Sequence, residues 1–143
     1  MAKPEPYLLE PASYPMRTEI GLRYSDLDVN RHLNNVKLID LLQEGRGYLH
    51  RNSGMTEASA RFTIVVANLN VQFLGEGFYP EPVVCHTGFR ALGRTSQTIA
   101  QLLMQGDLAI AYAETVMVTM LDGKSAPHPQ DYREQMEPWL VRQ

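Results

Sequence analysis

The chain has 143 residues, which is enough for one domain with a sizeable hydrophobic core. Hydrophobic residues make up 44% and charged residues 20%, as in ordinary globular proteins, and the net charge of −3 gives no general case for binding nucleic acid or anionic membranes. The single cysteine, Cys85, excludes an internal disulfide. Because residues 1–6 lack the apolar run of a signal peptide and no segment is apolar enough to span a bilayer, we expect a cytoplasmic protein.

Residues 1–15 contain four prolines, each of which removes a backbone donor, so we predict an extended N-terminal arm tied down by Tyr7, Leu8 and Leu9. Apolar and polar residues then alternate from Arg17 to Tyr24. This alternation predicts a half-buried first strand.

A long amphipathic helix follows, predicted from about Asn35 to Arg51, with Asn34 or Asn35 as its cap. Its apolar stripe recurs at three- and four-residue spacing and comprises Leu38, Leu41, Leu42, Gly45, Tyr48 and Leu49. A glycine inside a helix costs roughly 1 kcal/mol relative to alanine. We therefore predict that Gly45 allows the helix to lie very close to a sheet.

Four further strands are predicted from alternating patterns and turn residues, at Phe62–Leu74, Pro82–Leu92, Thr95–Met104 and Leu108–Leu121. On the last strand, Ala109, Ala111, Ala113 and Thr115 form a face of small side chains that could receive the helix. The tail, residues 122–143, is predicted to contain a short helix between Gln130 and Glu137. The sequence thus predicts a single α+β domain over 1–143, with one helix against a five-stranded antiparallel sheet.

The most polar stretch of the chain, residues 26–35, lies between the first strand and the helix, and we call it the polar loop. It contains two carboxylates, one imidazole and three amides. Turn and cap residues explain one or two of these side chains but not all six. An EF-hand calcium loop would need glycine and glutamate where Arg31 and Lys37 stand, so we reject it. The other histidines are distant in sequence and there is no paired-cysteine pattern, so zinc is not expected and no cofactor is predicted.

Acyl transfer fits the polar loop better than a metal site. Such chemistry needs a carboxylate to attack a carbonyl or activate water, a polar group to orient that water, and donors for the developing oxyanion. Asp28, Asn30, His32 and the N–H groups at the helix start supply these groups together. Cys85 lies within a predicted strand and is interpreted as a core residue.

Residues 23–46, RYSDLDVNRHLNNVKLIDLLQEGR, resemble the signature of hotdog-fold thioesterases. They are similar to the D-x-D-x-x-x-H-x-N-N form of the 4-hydroxybenzoyl-CoA thioesterase type and closer still to the DLDVNxHxNNVK stretch of plant acyl-ACP thioesterases. The resemblance implies a sheet wrapped around a central helix, with active sites built at subunit interfaces of a homodimer or homotetramer.

The resemblance also implies roles for single residues. Asp28 matches the catalytic carboxylate, and Asn30 and His32 match its partners in the acyl-ACP enzymes. The backbone N–H near Asn35 matches the donor that polarises the thioester carbonyl. Glu76 matches a further acidic residue of the acyl-ACP enzymes, although the cysteine that follows it there is Gly77 here. The chain contains one hotdog unit rather than two, which favours the shorter CoA-type enzymes.

We therefore predict an enzyme that hydrolyses acyl thioesters, most simply acyl-CoA. The alternatives are an acyl-ACP thioesterase, a non-catalytic hotdog module that binds acyl groups, and a hotdog dehydratase, whose His and carboxylate contexts are not found here. Because CoA carries phosphates, Arg90, Arg94 and Ser96 around the Leu92-Gly93 turn are predicted to bind the substrate; they could equally be ordinary solvated turn residues.

Overall fold

The computed structural model describes residues 3–58 and 61–143, and its N-terminal arm is folded rather than extended. The arm forms two short 3-10 helices, Pro6–Leu9 and Pro11–Ser13, each beginning at a proline. Proline suits the first helical position because its fixed φ is helical and its missing N–H would be unbonded there. The Tyr14 hydroxyl donates to the Leu8 carbonyl at 2.6 Å. The prediction of an extended arm was therefore wrong.

The long helix, α1 (Asn35–Asn52), begins and ends close to the predicted bounds. Asn34 is its cap, because the Asn34 side chain accepts a hydrogen bond from the Val36 N–H at 2.8 Å. Two short helices complete the helical part, α2 (Met55–Ala58) and α3 (Tyr132–Met136), the latter within the predicted segment. Among the described residues, no helix has the length and apolarity needed to cross a bilayer.

The predicted strands are present and form one antiparallel sheet that curls around α1. The strands are β1 (Met16–Ile20), β2 (Thr63–Phe73), β3 (Val83–Leu92), β4 (Ser96–Gln105), β5 (Leu108–Leu121) and the two-residue β6 (Lys124–Ser125). Their order is β1-β3-β4-β5-β2, with β6 added beside β5. The first strand ends at Ile20 rather than at the predicted Tyr24, which instead begins a short 3-10 helix and has a 74% exposed side chain.

At Gly45, α1 lies very close to the sheet, as predicted. A Cβ atom there would lie 2.6 Å from Cys85 Sγ and 2.8 Å from Gln101 Nε2. These distances are shorter than real Cβ contacts, so any other residue at this position would force its neighbours to shift. Within the sheet, α1 packs chiefly against β1, β3 and β4.

The other side of β3 and β4 is covered by the arm, a layer that the pattern analysis did not predict. Leu8 and Tyr14 pack there with Ala100, Leu102 and Tyr112. The central strands are therefore buried on both faces, as their nearly continuous burial shows.

A register shift in β5 corrects the predicted face of small residues. Leu103 pairs with Ala111, but the next residue of β4 pairs with Ala109, so Ile110 is an extra residue on β5. Ile110 consequently joins Ala111 and Ala113 in the helix-side core, whereas Ala109 packs on the arm side. A bulge of this kind reverses the side to which each earlier residue points.

Candidate active site

The polar loop is a tight turn held mainly by its own backbone. The Asp28 N–H donates to the His32 carbonyl at 2.8 Å, and the Arg31 N–H donates to the Asp28 carbonyl at 3.0 Å. Arg31 has a φ of 63°, a left-handed conformation that the turn requires. Val29 lies at the tip and is 98% exposed. The loop therefore projects from the end of the sheet with a defined backbone path.

The Asp28 carboxylate is positioned by two backbone amides. Its Oδ1 accepts hydrogen bonds from the Asn30 N–H at 2.8 Å and the His32 N–H at 3.1 Å. Its Oδ2 has no hydrogen-bond partner among the described residues. The sequence analysis expected Asn30 and His32 to orient the attacking water or Asp28. In the structure it is their backbone N–H groups that hold Asp28, because a short Asp side chain at a turn reaches the N–H groups that follow it.

Asp26, the first carboxylate of the loop, is buried and supports the backbone. Its Oδ2 accepts from the Arg23 N–H at 2.7 Å, and its Oδ1 lies 3.2 Å from the Arg23 guanidinium. Burial raises the pKa of Asp26, but these bonds from Arg23 outweigh it and hold the pKa below its ordinary value. The Asp26 carbonyl accepts the Asn34 N–H at 2.8 Å and so joins the two ends of the loop.

The start of α1, at the end of the polar loop, provides an unsatisfied donor. The Val36 N–H bonds to the Asn34 side chain and the Leu38 N–H bonds to the Asn34 carbonyl. In the described part of the chain, no acceptor bonds to the Asn35 N–H. A free N–H at the positive end of an 18-residue helix is suited to a carbonyl oxygen that acquires negative charge.

The segment after β2 brings Glu76 to the polar loop. The Leu33 N–H donates to the Gly77 carbonyl at 2.8 Å, which places Glu76 Oε2 3.2 Å from His32 Nδ1. A Cβ atom on Gly77 would lie 3.1 Å from the Leu33 Cβ, so glycine permits this tight docking. The geometry places Glu76 beside the other candidate residues.

Gln105 fixes the same segment and was missed by the sequence analysis. Its side chain donates to the carbonyls of Phe78 and Glu81 at 2.6 and 2.7 Å and accepts from the Phe78 N–H at 2.8 Å. Phe78 in turn lies edge-on to the His32 ring, with the ring centroids 5.2 Å apart. A glutamine at the end of a strand carries no sequence signal for this role, because its partners are 24 and 27 residues away.

Arg90, the first predicted CoA ligand, lies on the arm side of the sheet. Its guanidinium forms an ion pair with Glu114 and another with Glu5 at 3.3 Å. Burial lowers the pKa of Arg90, but Glu114 more than offsets it, so the pKa is raised. The charge is already neutralised by two carboxylates, which leaves Arg90 poorly placed to bind a phosphate.

Arg94 and Ser96 lie at the far end of the sheet from the polar loop. Ser96 begins β4 and Gln105 ends it, and a strand of ten residues spans roughly 30 Å. Arg94 lines a shallow depression with His128, whose N–H bonds to the Arg94 carbonyl at 2.9 Å. Within one chain the structure does not bring Arg94 or Ser96 to Asp28, and their contact with a substrate stays a prediction.

The single cysteine of the chain, Cys85, is not placed to act as a nucleophile. Cys85 is fully buried between the sheet and α1, and burial raises the pKa of its thiol to about 11. Across residues 3–58 and 61–143, no group of three His, Cys, Asp or Glu side chains could hold a metal ion. Asp28, Asn35, His32 and Glu76 therefore remain the candidate reactive residues of the polar loop and the segment docked on it.

Comparisons with known proteins bear on the fold and the family of the chain. No curated protein sequence matches the chain. A predicted thioesterase from Bacillus stearothermophilus is 24% identical, with a TM-score of 0.80 over 90% of this chain and 98% of that chain. A thioesterase from Thermus thermophilus, solved with coenzyme A and Zn, is 25% identical, with a TM-score of 0.78 over 92% of this chain and 98% of that chain.

A match over most of the sequence identifies the family of the chain. Residues 22–136 match the family described as the Thioesterase-like superfamily, which covers the polar loop, all of α1 and every strand after β1. Together with the antiparallel sheet curled around one long helix, this match confirms the predicted hotdog fold. The chain belongs to the thioesterase-like superfamily.

Proposed function

We propose that this protein hydrolyses acyl-CoA thioesters to a free acid and CoA. The observation that carries the proposal is that one short loop contains both a carboxylate oxygen and a helix N–H that are unbonded in the described part of the chain, Asp28 Oδ2 and the Asn35 N–H. A binding module needs no such carboxylate. The CoA carrier is supported by the Thermus thermophilus relative, which was solved with coenzyme A.

In this mechanism the thioester carbonyl oxygen accepts a hydrogen bond from the Asn35 N–H, which stabilises the negative charge of the tetrahedral intermediate. Asp28 Oδ2 either removes a proton from the attacking water or attacks the carbonyl carbon itself. In the second route a mixed anhydride forms, the C–S bond breaks, and water then hydrolyses the anhydride. His32, whose Nδ1 faces Glu76, protonates the leaving thiolate from its Nε2.

The two routes differ in the fate of the water oxygen. A single turnover in oxygen-labelled water transfers label to the Asp28 carboxylate if the anhydride is hydrolysed at its Asp28 carbon. If water attacks the thioester directly, or attacks the acyl carbon of the anhydride, the released acid alone carries the label, so label in Asp28 identifies the covalent route. Mass spectrometry of the peptide that contains Asp28 measures the difference.

The loop is surrounded by large apolar side chains that are exposed in the single chain. They are Tyr24, Val29, Val36, Phe73, Leu74, Phe78 and Tyr79. Apolar clusters of this kind mark interaction surfaces. We propose that a second copy of the chain covers them, and that Arg94 and Ser96 of one copy meet the CoA phosphates held at the polar loop of the other.

A free-thiol assay tests the proposal, with acyl-CoAs of several chain lengths and acyl-ACP measured in parallel. Faster thiol release from acyl-CoA than from acyl-ACP is the expected result, and the reverse order reassigns the carrier. Binding of acyl-CoA without thiol release would instead identify a non-catalytic module. Light scattering of the same sample gives the oligomeric state.

A further inference from the structure

Arg46 is a buried cation whose contacts are all neutral. It lies on α1, is 7% exposed, and donates from Nη1 to Gln101 Oε1 and Thr115 Oγ1, each at 3.4 Å. Both bonds are long. A guanidinium has five N–H donors, and no carboxylate pairs with this one among the described residues. Buried charges are ordinarily paired, so this arrangement is incomplete without an anion.

The groups nearest to Arg46 do not supply that anion. The Cys85 thiol is neutral at pH 7 because burial raises its pKa to about 11. His50, one turn further along α1, is neutral because burial and the Arg46 charge lower its pKa to about 4. Glu114, which follows Ala113 on β5, points to the arm side and is bound to Arg90. Among the described residues, therefore, no neighbouring group supplies a negative charge to Arg46.

A continuous strip of side chains connects Arg46 with the candidate active site. Ala111 pairs with Phe73, and Thr115 pairs with Leu69, so these side chains share the helix-facing side of β5 and β2. Phe73 is 54% exposed at the end nearest Glu76, and Thr115 contacts Arg46 at the other end. The strip thus runs from an open apolar end to a buried polar end.

The row of α1 side chains that faces this strip also changes from apolar to polar along its length. Leu38, Leu42, Arg46 and His50 recur every four residues, which places them in one row along α1. The row is apolar beside the helix start and polar beyond it. Because each residue adds 1.5 Å of rise, Arg46 lies about 16 Å along the axis from Asn35. The long side chain of Arg46 leans back toward the helix start and shortens this gap.

We propose that Arg46 determines specificity for acyl groups that end in a carboxylate, so that the preferred substrates are CoA monothioesters of medium-chain dicarboxylic acids. This inference rests on the proposed thioester hydrolysis, since it places the thioester at Asn35 and the distal carboxylate at Arg46. A guanidinium binds a carboxylate through two parallel hydrogen bonds. A plain alkyl chain would leave the Arg46 charge unpaired, so it binds less well.

The test compares substrates of equal length that differ only at the distal end. Values of kcat/KM are measured for suberyl-CoA against octanoyl-CoA and for sebacyl-CoA against decanoyl-CoA. The wild-type protein is expected to prefer the carboxylated member of at least one pair by about tenfold or more, the effect of one charge-assisted contact. Arg46→Met is expected to reduce that ratio to about one or below. Arg51→Met, the same change at an exposed position of α1, is the control and keeps the ratio.

Two outcomes overturn the proposal. One is a wild-type preference for the alkyl substrates in both pairs. The other is an Arg46→Met variant that lowers kcat/KM equally for both members of a pair, which indicates a structural role. If Arg46→Met does not fold, as judged by circular dichroism and thermal unfolding, Arg46→Lys replaces it. Lysine keeps the charge but cannot bind a carboxylate through two parallel N–H groups, so the preference for the carboxylated substrate is expected to fall without reversing.

Calorimetry separates failure of this inference from failure of the proposed function. Binding of sebacyl-CoA and decanoyl-CoA is measured on Asp28→Asn alone and combined with Arg46→Met. If no thioester is hydrolysed by the wild-type protein, the proposed hydrolysis is wrong, but a preference for sebacyl-CoA that disappears with Arg46→Met still supports the carboxylate site. Equal binding of both ligands rejects the site whether or not hydrolysis occurs.

Discussion

Two polar clusters of this molecule differ in where they lie and how they are built. The polar loop takes its groups from ten consecutive residues, is partly exposed, and is held largely by hydrogen bonds within itself. The Arg46 cluster joins residues 55 and 69 positions apart and lies inside the core. The first is suited to chemistry on a substrate that must enter and leave, and the second to recognising one end of it. The proposed substrate would contact both clusters, with its thioester at the polar loop and its distal carboxylate at Arg46.

The largest effect is expected from Asp28→Asn, which removes the reactive carboxylate oxygen of the polar loop but leaves the backbone of the loop unchanged. Asp28→Asn keeps Oδ1, so the hydrogen bonds from the Asn30 and His32 N–H groups can persist and the loop should fold normally. The variant lacks a base or nucleophile, and we expect kcat/KM for acyl-CoA hydrolysis to fall by about 100- to 1,000-fold or more.

The thiol-release assay measures this loss, with Asp40→Asn, an exposed helix carboxylate, as the matched control. Activity of Asp28→Asn within a few fold of wild type would remove Asp28 from the mechanism.

The next effect tests the electrostatics of the buried cluster. His50 has a folded-state pKa of about 4, against 6.5 ordinarily, because of burial and then the Arg46 charge. Between these values the unfolded chain binds a proton that the folded chain does not, so stability is present above pH 6.5 and is lost as the pH falls toward 4. The full loss is of order 3 kcal/mol.

Urea unfolding across this pH range measures the loss in the free energy of unfolding. His86, whose pKa burial and Arg17 also lower, contributes in the same direction, so the informative quantity is the difference between wild type and His50→Gln. The variant should lose less stability on acidification. If the free energy of unfolding falls equally with pH in wild type and His50→Gln, His50 does not cause the loss.

A smaller effect tests the packing that keeps α1 close to the sheet between the two clusters. Gly45→Ala forces a Cβ atom to within 2.6 Å of Cys85 Sγ, whereas Gly47→Ala meets no atom within 4 Å. Overpacking costs about 1–3 kcal/mol, and alanine returns up to about 1 kcal/mol of helix propensity. We expect Gly45→Ala to be destabilised by about 1–2 kcal/mol and Gly47→Ala to be stabilised.

Chemical denaturation of both glycine variants gives the comparison directly. Equal stabilisation of the two would show that α1 can move away from β3 and β4 without cost.

The smallest effect concerns the contact between Glu76 and His32. Their side chains are 63% and 31% exposed, and an exposed contact of this kind is worth about 0.2–1 kcal/mol. Glu76→Gln is therefore expected to lower kcat/KM by roughly two- to fivefold and to change the free energy of unfolding by no more than about 1 kcal/mol. Glu57→Gln on α2, also exposed, is the control. A loss as large as that of Asp28→Asn would instead give Glu76 a direct catalytic role.

The sequence by itself determined the features that depend on neighbours along the chain. Turn chemistry placed Asp28 where backbone amides hold it, the cap residue Asn34 set the start of α1, and strand alternation located all five long strands. Even the close approach at Gly45 was predictable, because a glycine in an apolar stripe is too costly without a packing reason.

Only the tertiary structure decided which distant residues meet. It placed Glu76 beside His32, sent Arg90 to the opposite side of the sheet from Arg46, and folded the arm over β3 and β4. These outcomes depend on sheet register, and shifts of register occur in β2, β3 and β5. One extra residue in a strand reverses the face of every residue on one side of it. A short-range pattern does not contain that information, because the register is set by packing of the whole sheet.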